Sequence, residues 1–193
     1  REAKTPYVIL LNNDTKAEAG FVRGLYDAIR ENEKIFSVSA KMLMWDRPEL
    51  IDDAGDRYCV LGWAYSRGKG RPAADYDKSV PVFSACGGAA IYRRSVFEEI
   101  GYFDEEHFAY LEDIDVGYRA KIYGYKNMYC PTALVYHVGD TVYLDNQEYQ
   151  ITELREDTVQ LLPTGMSYPI YRAESRERFE QLLREDNRND FYT

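Results

Sequence analysis

The sequence predicts an α/β fold, a mostly parallel sheet with flanking helices, followed by a small α+β tail. Three observations lead there. Tyr7 to Leu11 reads Tyr-Val-Ile-Leu-Leu without polar alternation, as expected of a strand buried on both faces. Phe21, Leu25 and Ile29 follow at every fourth residue and form one apolar helix face. Near residue 140 the chain changes character: Asp140 to Thr193 has 12 acidic and 6 basic residues, against 21 and 18 before it.

The elements follow in order. After the first strand comes the polar loop Asn12-Asn13-Asp14, with Thr15 and Glu18 at capping-box spacing ahead of the helix. Ile35 to Leu43 is expected as the next strand. Asp46 to Ala74 reads as an irregular excursion with a short hairpin around Tyr58 to Tyr65. Val82 to Ala85 and Ala89 to Tyr92 are β-like and joined by Cys86-Gly87-Gly88. Ser95 and Glu98 repeat the capping-box spacing, and Gly101 can end that helix. Asp104-Glu105-Glu106 opens an acidic loop. Leu111, Ile114, Tyr118 and Ile122 trace a helix face that stops at Gly124. Lys126 to Cys130 and Ala133 to His137 are read as two short strands around Pro131. In the tail, Thr141 to Leu144, Tyr149 to Leu154 and Thr158 to Leu162 read as antiparallel strands. A last helix is expected from Ala173 to Arg184. The expected boundary gives residues 1–139 and 140–193 as the two domains.

Composition narrows the function. Of 193 residues, 45 % are hydrophobic and 30 % charged, which is globular. A net charge of −9 with no basic stripe argues against direct nucleic-acid contact. The three cysteines, Cys59, Cys86 and Cys130, form no zinc pattern and read as free thiols. No apolar run is long enough to span a bilayer, and peripheral membrane contact stays compatible with the sequence. The expected location is the cytoplasm, extending to the inner face of the membrane.

Two clusters carry chemistry. Asn12-Asn13-Asp14 sits at a strand end, where α/β sheets bind ligands, and offers oxygen ligands to a hard divalent cation. Glu112-Asp113-Ile114-Asp115 crowds carboxylates at a helix start, where the dipole favours negative charge. One of these carboxylates can serve as a proton acceptor. Asp115 can also pair with Arg119 one turn on. His137 ends an apolar strand and can complete a metal site.

The order of these motifs resembles glycosyltransferase family 2 and its bacterial rhamnosyltransferase-like branch. The matching pieces are Asn12-Asn13-Asp14, Ser84 to Ala90, Arg93 to Phe97 with Gly101 to Glu105, Leu111 to Asp115, and Tyr136-His137. The resemblance implies a GT-A fold, Rossmann-like, over about residues 6–139. It implies that Asp14, Asn12 and His137 bind Mn or Mg, and that Asp113 is the catalytic base. Gly87 and Gly88 would border the donor sugar and acceptor, with Glu112 and Asp115 as further substrate-binding residues. The implied partners are a nucleotide-diphosphate sugar donor and a glycan or lipid-linked acceptor. The implied reaction is inverting transfer in cell-surface polysaccharide synthesis. Family members carry a nucleotide-binding half ahead of the Asn-Asn-Asp strand, so this chain is expected to be a partial GT-A fold. The tail is similar to a small segment of mobile-element multidomain proteins. The alternative expectation is therefore an inactive remnant or binding module with a tail from a DNA-processing protein.

Overall fold

The computed structural model describes residues 3–105, 111–138, 141–144, 147–154, 158–163 and 172–185. Glu106, Tyr110 and the expected boundary at Gly139–Asp140 lie outside them. The chain divides into two compact units, Arg1–His137 and Val138–Thr193. No helix among the described residues is long and apolar enough to cross a membrane.

The first unit is built on a seven-stranded sheet. Its path runs β1 (Tyr7–Leu11), β8 (Ala89–Arg93), β3 (Ile35–Met44), β9 (Lys126–His137), β2 (Thr15–Ala17), with β4 (Ile51–Asp53) on β3 and β7 (Val80–Val82) on β9. Here the expectation of a mostly parallel sheet is corrected. Only β3 and β9 run parallel, and every other pairing in this sheet is antiparallel. The misreading has a physical origin. The run that suggested it, β1, is an edge strand, half-buried with Leu11 exposed, and an apolar run does not report which way its neighbours in the sheet run. One face packs on α1 (Phe21–Arg30) through Phe21, Leu25 and Ile29 against Val38, Ile91 and Val135. The other holds Phe36 and Tyr92 against α2 (Arg94–Ile100) and α3 (Glu112–Ile122).

Other expectations shift locally. Thr15 does not cap α1. It starts β2, its hydroxyl donates to the Asn12 carbonyl at 2.6 Å, and Gly20 precedes the helix. Ser95 lies inside α2, which begins at Arg94 without a side-chain cap. The apolar face of α3 is Ile114, Val116, Gly117 and Ala120, while Tyr118 and Ile122 are exposed. Small residues win that face because the helix lies very close to its neighbours: a Cβ on Gly117 would come within 2.5 Å of Ser84 Oγ. Asn127 on β9 clamps the contact, its amide donating to the carbonyls of Phe83 and Gly117 at 2.6 and 3.0 Å.

The two strands expected around Pro131 are one strand, β9. From Ser39 to Lys41 β3 advances by two residues, while β9 goes from Tyr129 to Leu134. The surplus bulges toward α1, where Gly24 would place a Cβ 3.2 Å from the Ala133 nitrogen. The excursion after β3 contains a separate hairpin, β5 (Asp56–Tyr58) with β6 (Ala64–Ser66), then a 3-10 turn at Ala73–Asp75.

The second unit is an antiparallel sheet in the order β10 (Thr141–Leu144), β11 (Gln147–Leu154), β12 (Thr158–Pro163), β13 (Arg172–Ser175), followed by α4 (Arg176–Glu185). Its core joins Leu144 and Leu161 to Phe179 and Leu182. The last helix starts later than Ala173, because β13 takes those residues into the sheet. Ser175 Oγ then accepts the Arg178 amide at 3.2 Å and caps α4.

Candidate active site

One wall of the site is set by the turn between β1 and β2. The Asn12 amide donates to the Gly88 carbonyl at 2.9 Å, and Thr15 pairs with His137 at the end of β9. This holds the Asp14 carboxylate 3.3 Å from His137 Nε2. The other ring nitrogen, Nδ1, lies 2.6 Å from Asp52 on β4, and Lys69 Nζ is 3.1 Å from the same carboxylate. Burial pushes the Asp52 carboxyl up, but its hydrogen bond to His137 and the Lys69 charge outweigh that and hold it below its ordinary value. Asp14 Oδ1 is buried without a hydrogen-bond partner.

These residues fit a divalent cation. With Nδ1–H donated to Asp52, the imidazole turns Nε2 toward Asp14, and the orphaned Asp14 oxygen waits beside it. A carboxylate holding the far nitrogen of a metal-binding histidine is the usual outer shell of such sites. Asn12 lines the adjoining cleft and can add an amide oxygen.

The opposite wall is set by α3. Leu111 enters the helix with a left-handed backbone (φ 69°), a conformation uncommon for a branched side chain. It is followed directly by Glu112 and Asp113. Asp113 Oδ2 accepts the Gly87 amide at 2.9 Å, and Oδ1 accepts the Ile114 amide at 2.7 Å. The Ser84 hydroxyl donates to the Asp113 carbonyl. Burial raises the Asp113 carboxyl, with the Glu112 charge adding to it, against the hydrogen bond from Gly87. Asp56 and Cys86 stand beside it, with one polar atom from each of the three within 4.8 Å of the others. Burial, then the charges of Asp53 and Asp113, push Asp56 up to about 9. Burial likewise brings Asp53 to about 6 and lifts the Cys86 thiol well above its ordinary value.

Between the walls lies a cleft of about 730 Å³ bordered by Asn12, Asp52, Gly87, Gly88, Asp113 and His137. The glycine pair touches both sides. A Cβ on Gly87 would lie 3.6 Å from Asp113, and one on Gly88 would lie 3.3 Å from the Asn12 amide nitrogen. Glu112 also lines the cleft, and its Oε2 is buried without a partner. Asp14 meets the cleft through His137 and does not itself line it.

Asp115 is placed differently from Glu112. It is not among the described cleft residues, and its carboxylate is held by Arg119 at 2.6 Å. Arg119 also donates to the carbonyls of Ile100, Gly101 and Tyr102, so the pair ties α3 to the end of α2. Asp52, Asp53, Asp56 and Lys69 were missed because they sit in a segment with no periodicity. The available signal was three carboxylates within five positions, Asp52 to Asp56, in a stretch otherwise read as irregular.

Comparison with known proteins bears on the family and the fold. Residues 4–157 match the family described as Glycosyltransferase like family 2. N-acetylglucosaminyl-diphospho-decaprenol L-rhamnosyltransferase from Mycobacterium tuberculosis (strain CDC 1551 / Oshkosh) is 30 % identical over 148 residues, covering 68 % of this chain and 46 % of that protein. The same protein from strain ATCC 25618 / H37Rv gives the same figures: 30 %, 148 residues, 68 % and 46 %. The chain thus spans about half the length of these relatives. Among solved structures, GalNAc-T7 with UDP, GalNAc and Mn2+ superimposes with a TM-score of 0.54 at 16 % identity, over 68 % of this chain and 27 % of that one. At that identity the likeness is one of fold, a mixed sheet with flanking helices of the GT-A kind. With more than half of its residues matching the family profile, and with the cleft at the strand ends that such a fold uses, the chain belongs to glycosyltransferase family 2.

Proposed function

We propose that this chain transfers a sugar from a nucleotide-diphosphate donor to a hydroxyl of a glycan or lipid-linked acceptor, with inversion at the anomeric carbon. The observation that carries this reading is one cleft with an imidazole–carboxylate pair on one wall and a raised carboxyl on the other. His137, Asp14 and Asn12 would hold Mn or Mg. Such an ion, when bound, offsets the charge that develops on the leaving diphosphate. Asp52 fixes the His137 ring so that Nε2 would be free to take such an ion.

Asp113 is the base. Its raised proton affinity suits it to take the acceptor's proton, and the Gly87 and Ile114 amides fix its orientation. The acceptor oxygen forms its bond to the anomeric carbon as the bond to the diphosphate oxygen breaks. The electron pair leaves with the diphosphate, and the proton ends on Asp113. Gly87 and Gly88 leave room for the donor sugar between the two walls. The decaprenol in the relatives' name supports a lipid-linked acceptor.

Calorimetric titration with nucleoside diphosphates, with and without Mn2+, tests the reading. Metal-dependent binding that His137→Ala removes is expected. Binding that ignores both the metal and the substitution would overturn it.

A further inference from the structure

The β5–β6 hairpin carries an unusual tip. Cys59 to Gly62 form a tight turn, with the Gly62 amide on the Cys59 carbonyl at 2.9 Å and the Cys59 amide on the Trp63 carbonyl at 2.9 Å. Its two corner positions are Val60 and Leu61, where turns ordinarily place Gly, Asn, Asp, Pro or Ser. Val60 is 102 % exposed, Leu61 81 % and Trp63 74 %. Three large apolar side chains therefore point into water from one convex tip.

The roots of this hairpin have the opposite charge to the rest of the molecule. Residues 57–71 contain Arg57, Arg67, Lys69 and Arg71 and no carboxylate, in a chain of net charge −9. Arg57 pairs across the hairpin with Tyr65, and both are exposed. The same hairpin borders the site: Ala64, Tyr65 and Ser66 line the cleft, as does Lys69 beyond it.

We infer that the β5–β6 hairpin is a membrane-docking element, with Val60, Leu61 and Trp63 entering the interface of an anionic lipid bilayer. The inference rests on the reading that the acceptor is lipid-linked, and it says how the cleft reaches that acceptor. An aliphatic pair beside a tryptophan is the composition that settles at a headgroup boundary, and basic flanks add attraction to anionic lipid. A protein partner fits less well. Three side chains on a convex tip fall far short of the roughly 1,200–2,000 Å² that a stable protein interface buries. A lipid-linked sugar could then enter the cleft beside Tyr65 without leaving the bilayer.

Vesicle co-sedimentation of the purified chain tests this. Binding should be stronger to phosphatidylcholine vesicles containing phosphatidylglycerol than to phosphatidylcholine alone, and should weaken as salt rises. The V60S/L61S/W63S variant should bind about tenfold or more weakly, from the apolar area withdrawn. I122S, which removes an exposed apolar side chain from α3, should not. In a W45F background the emission of Trp63 should move to shorter wavelength on vesicle binding. Unchanged sedimentation of the triple variant overturns the proposal, as does a concentration-dependent dimer that the triple variant dissolves while vesicles bind neither form. Transfer to a water-soluble acceptor separates the two readings. If it persists while vesicle binding is absent, only the docking inference fails. If vesicle binding depends on the tip but no acceptor is glycosylated, the transfer reading fails instead.

Discussion

The two walls of the cleft are made from the same residue type and treat it in opposite ways. On the β2–β9 wall, Asp52 is mostly buried yet held below its ordinary value, because His137 and Lys69 surround it. On the α3 wall, Asp56 and Asp113 are buried beside other carboxylates with no cation among their causes, and both are raised. Burial is common to both walls, so the neighbours decide the outcome. A charged carboxylate shell suits a metal, whereas a carboxyl that holds its proton more tightly suits proton transfer. In the proposed reaction one fold thereby serves two chemistries a few residues apart.

The largest effect that could break this contrast comes from Asp113→Asn. Turnover should fall by about 10²–10⁴-fold, the usual span for a general base. Metal-dependent nucleotide binding should survive, because the other wall is untouched. Loss of both in parallel would mean that Asp113 only supports the structure. Next comes Asp52→Asn, which releases the His137 ring. Mn2+ affinity should drop by about 10–100-fold, as for other outer-shell partners. Titration with Mn2+ reads this directly, and an unchanged affinity would remove Asp52 from the site.

The pH dependence of stability should separate the walls by sign. Asp56 holds a proton up to about 9 when folded, whereas the unfolded chain gives it up near 4, the ordinary carboxylate value. Between those limits the native state binds the extra proton, so stability falls as pH rises. Asp52 acts in reverse. Its contribution is fully present above the ordinary value and is lost as pH falls through its lowered folded value. Melting curves should show Asp56→Asn flattening the decline between pH 5 and 8, by about 2–4 °C for each kcal/mol recovered. An unaltered slope would refute the assignment. The smallest effect is packing. Gly117→Ala meets Ser84 and should cost about 1–3 kcal/mol of stability by overpacking. If Asp113 depends on that close approach, activity should fall further than unfolding alone explains.

How much of this was legible depended on whether a residue sat in a periodic segment. Asn12, Asp14 and His137 stand at the ends of apolar strands, so their place at the mouth of the sheet could be read from the pattern. Asp113 was legible as part of an acidic helix start, as was the pairing of Asp115 with Arg119. Strand direction was not, since an apolar run does not say which way a neighbour runs, nor does it guarantee two covered faces, as the half-buried edge strand β1 shows. The buried face of α3 was misread because periodicity counts large side chains, and this helix approaches through Gly117 and Ala120. β2 was hidden because three residues, Thr15–Ala17, are too few to show alternation. Asp52 and Asp56 belong to the site only through the chain's return from an irregular excursion, which no local pattern encodes.

The seating of β9 against α1 bears on how this site can change over generations. Ala133 is pinned beneath Gly24, and His137 stands four positions further along the same strand. Side chains on a strand alternate between faces, so an insertion or deletion of one residue in that interval would turn His137 away from Asp14 and Asp52. No loop lies between the anchor and the histidine to absorb the change. Spacing here is therefore under tighter constraint than side-chain identity: Leu134, Val135 and Tyr136 can drift among apolar residues, while their number cannot. The hairpin tip at Val60 and Leu61, which no sheet register governs, is the place where related chains should differ in length.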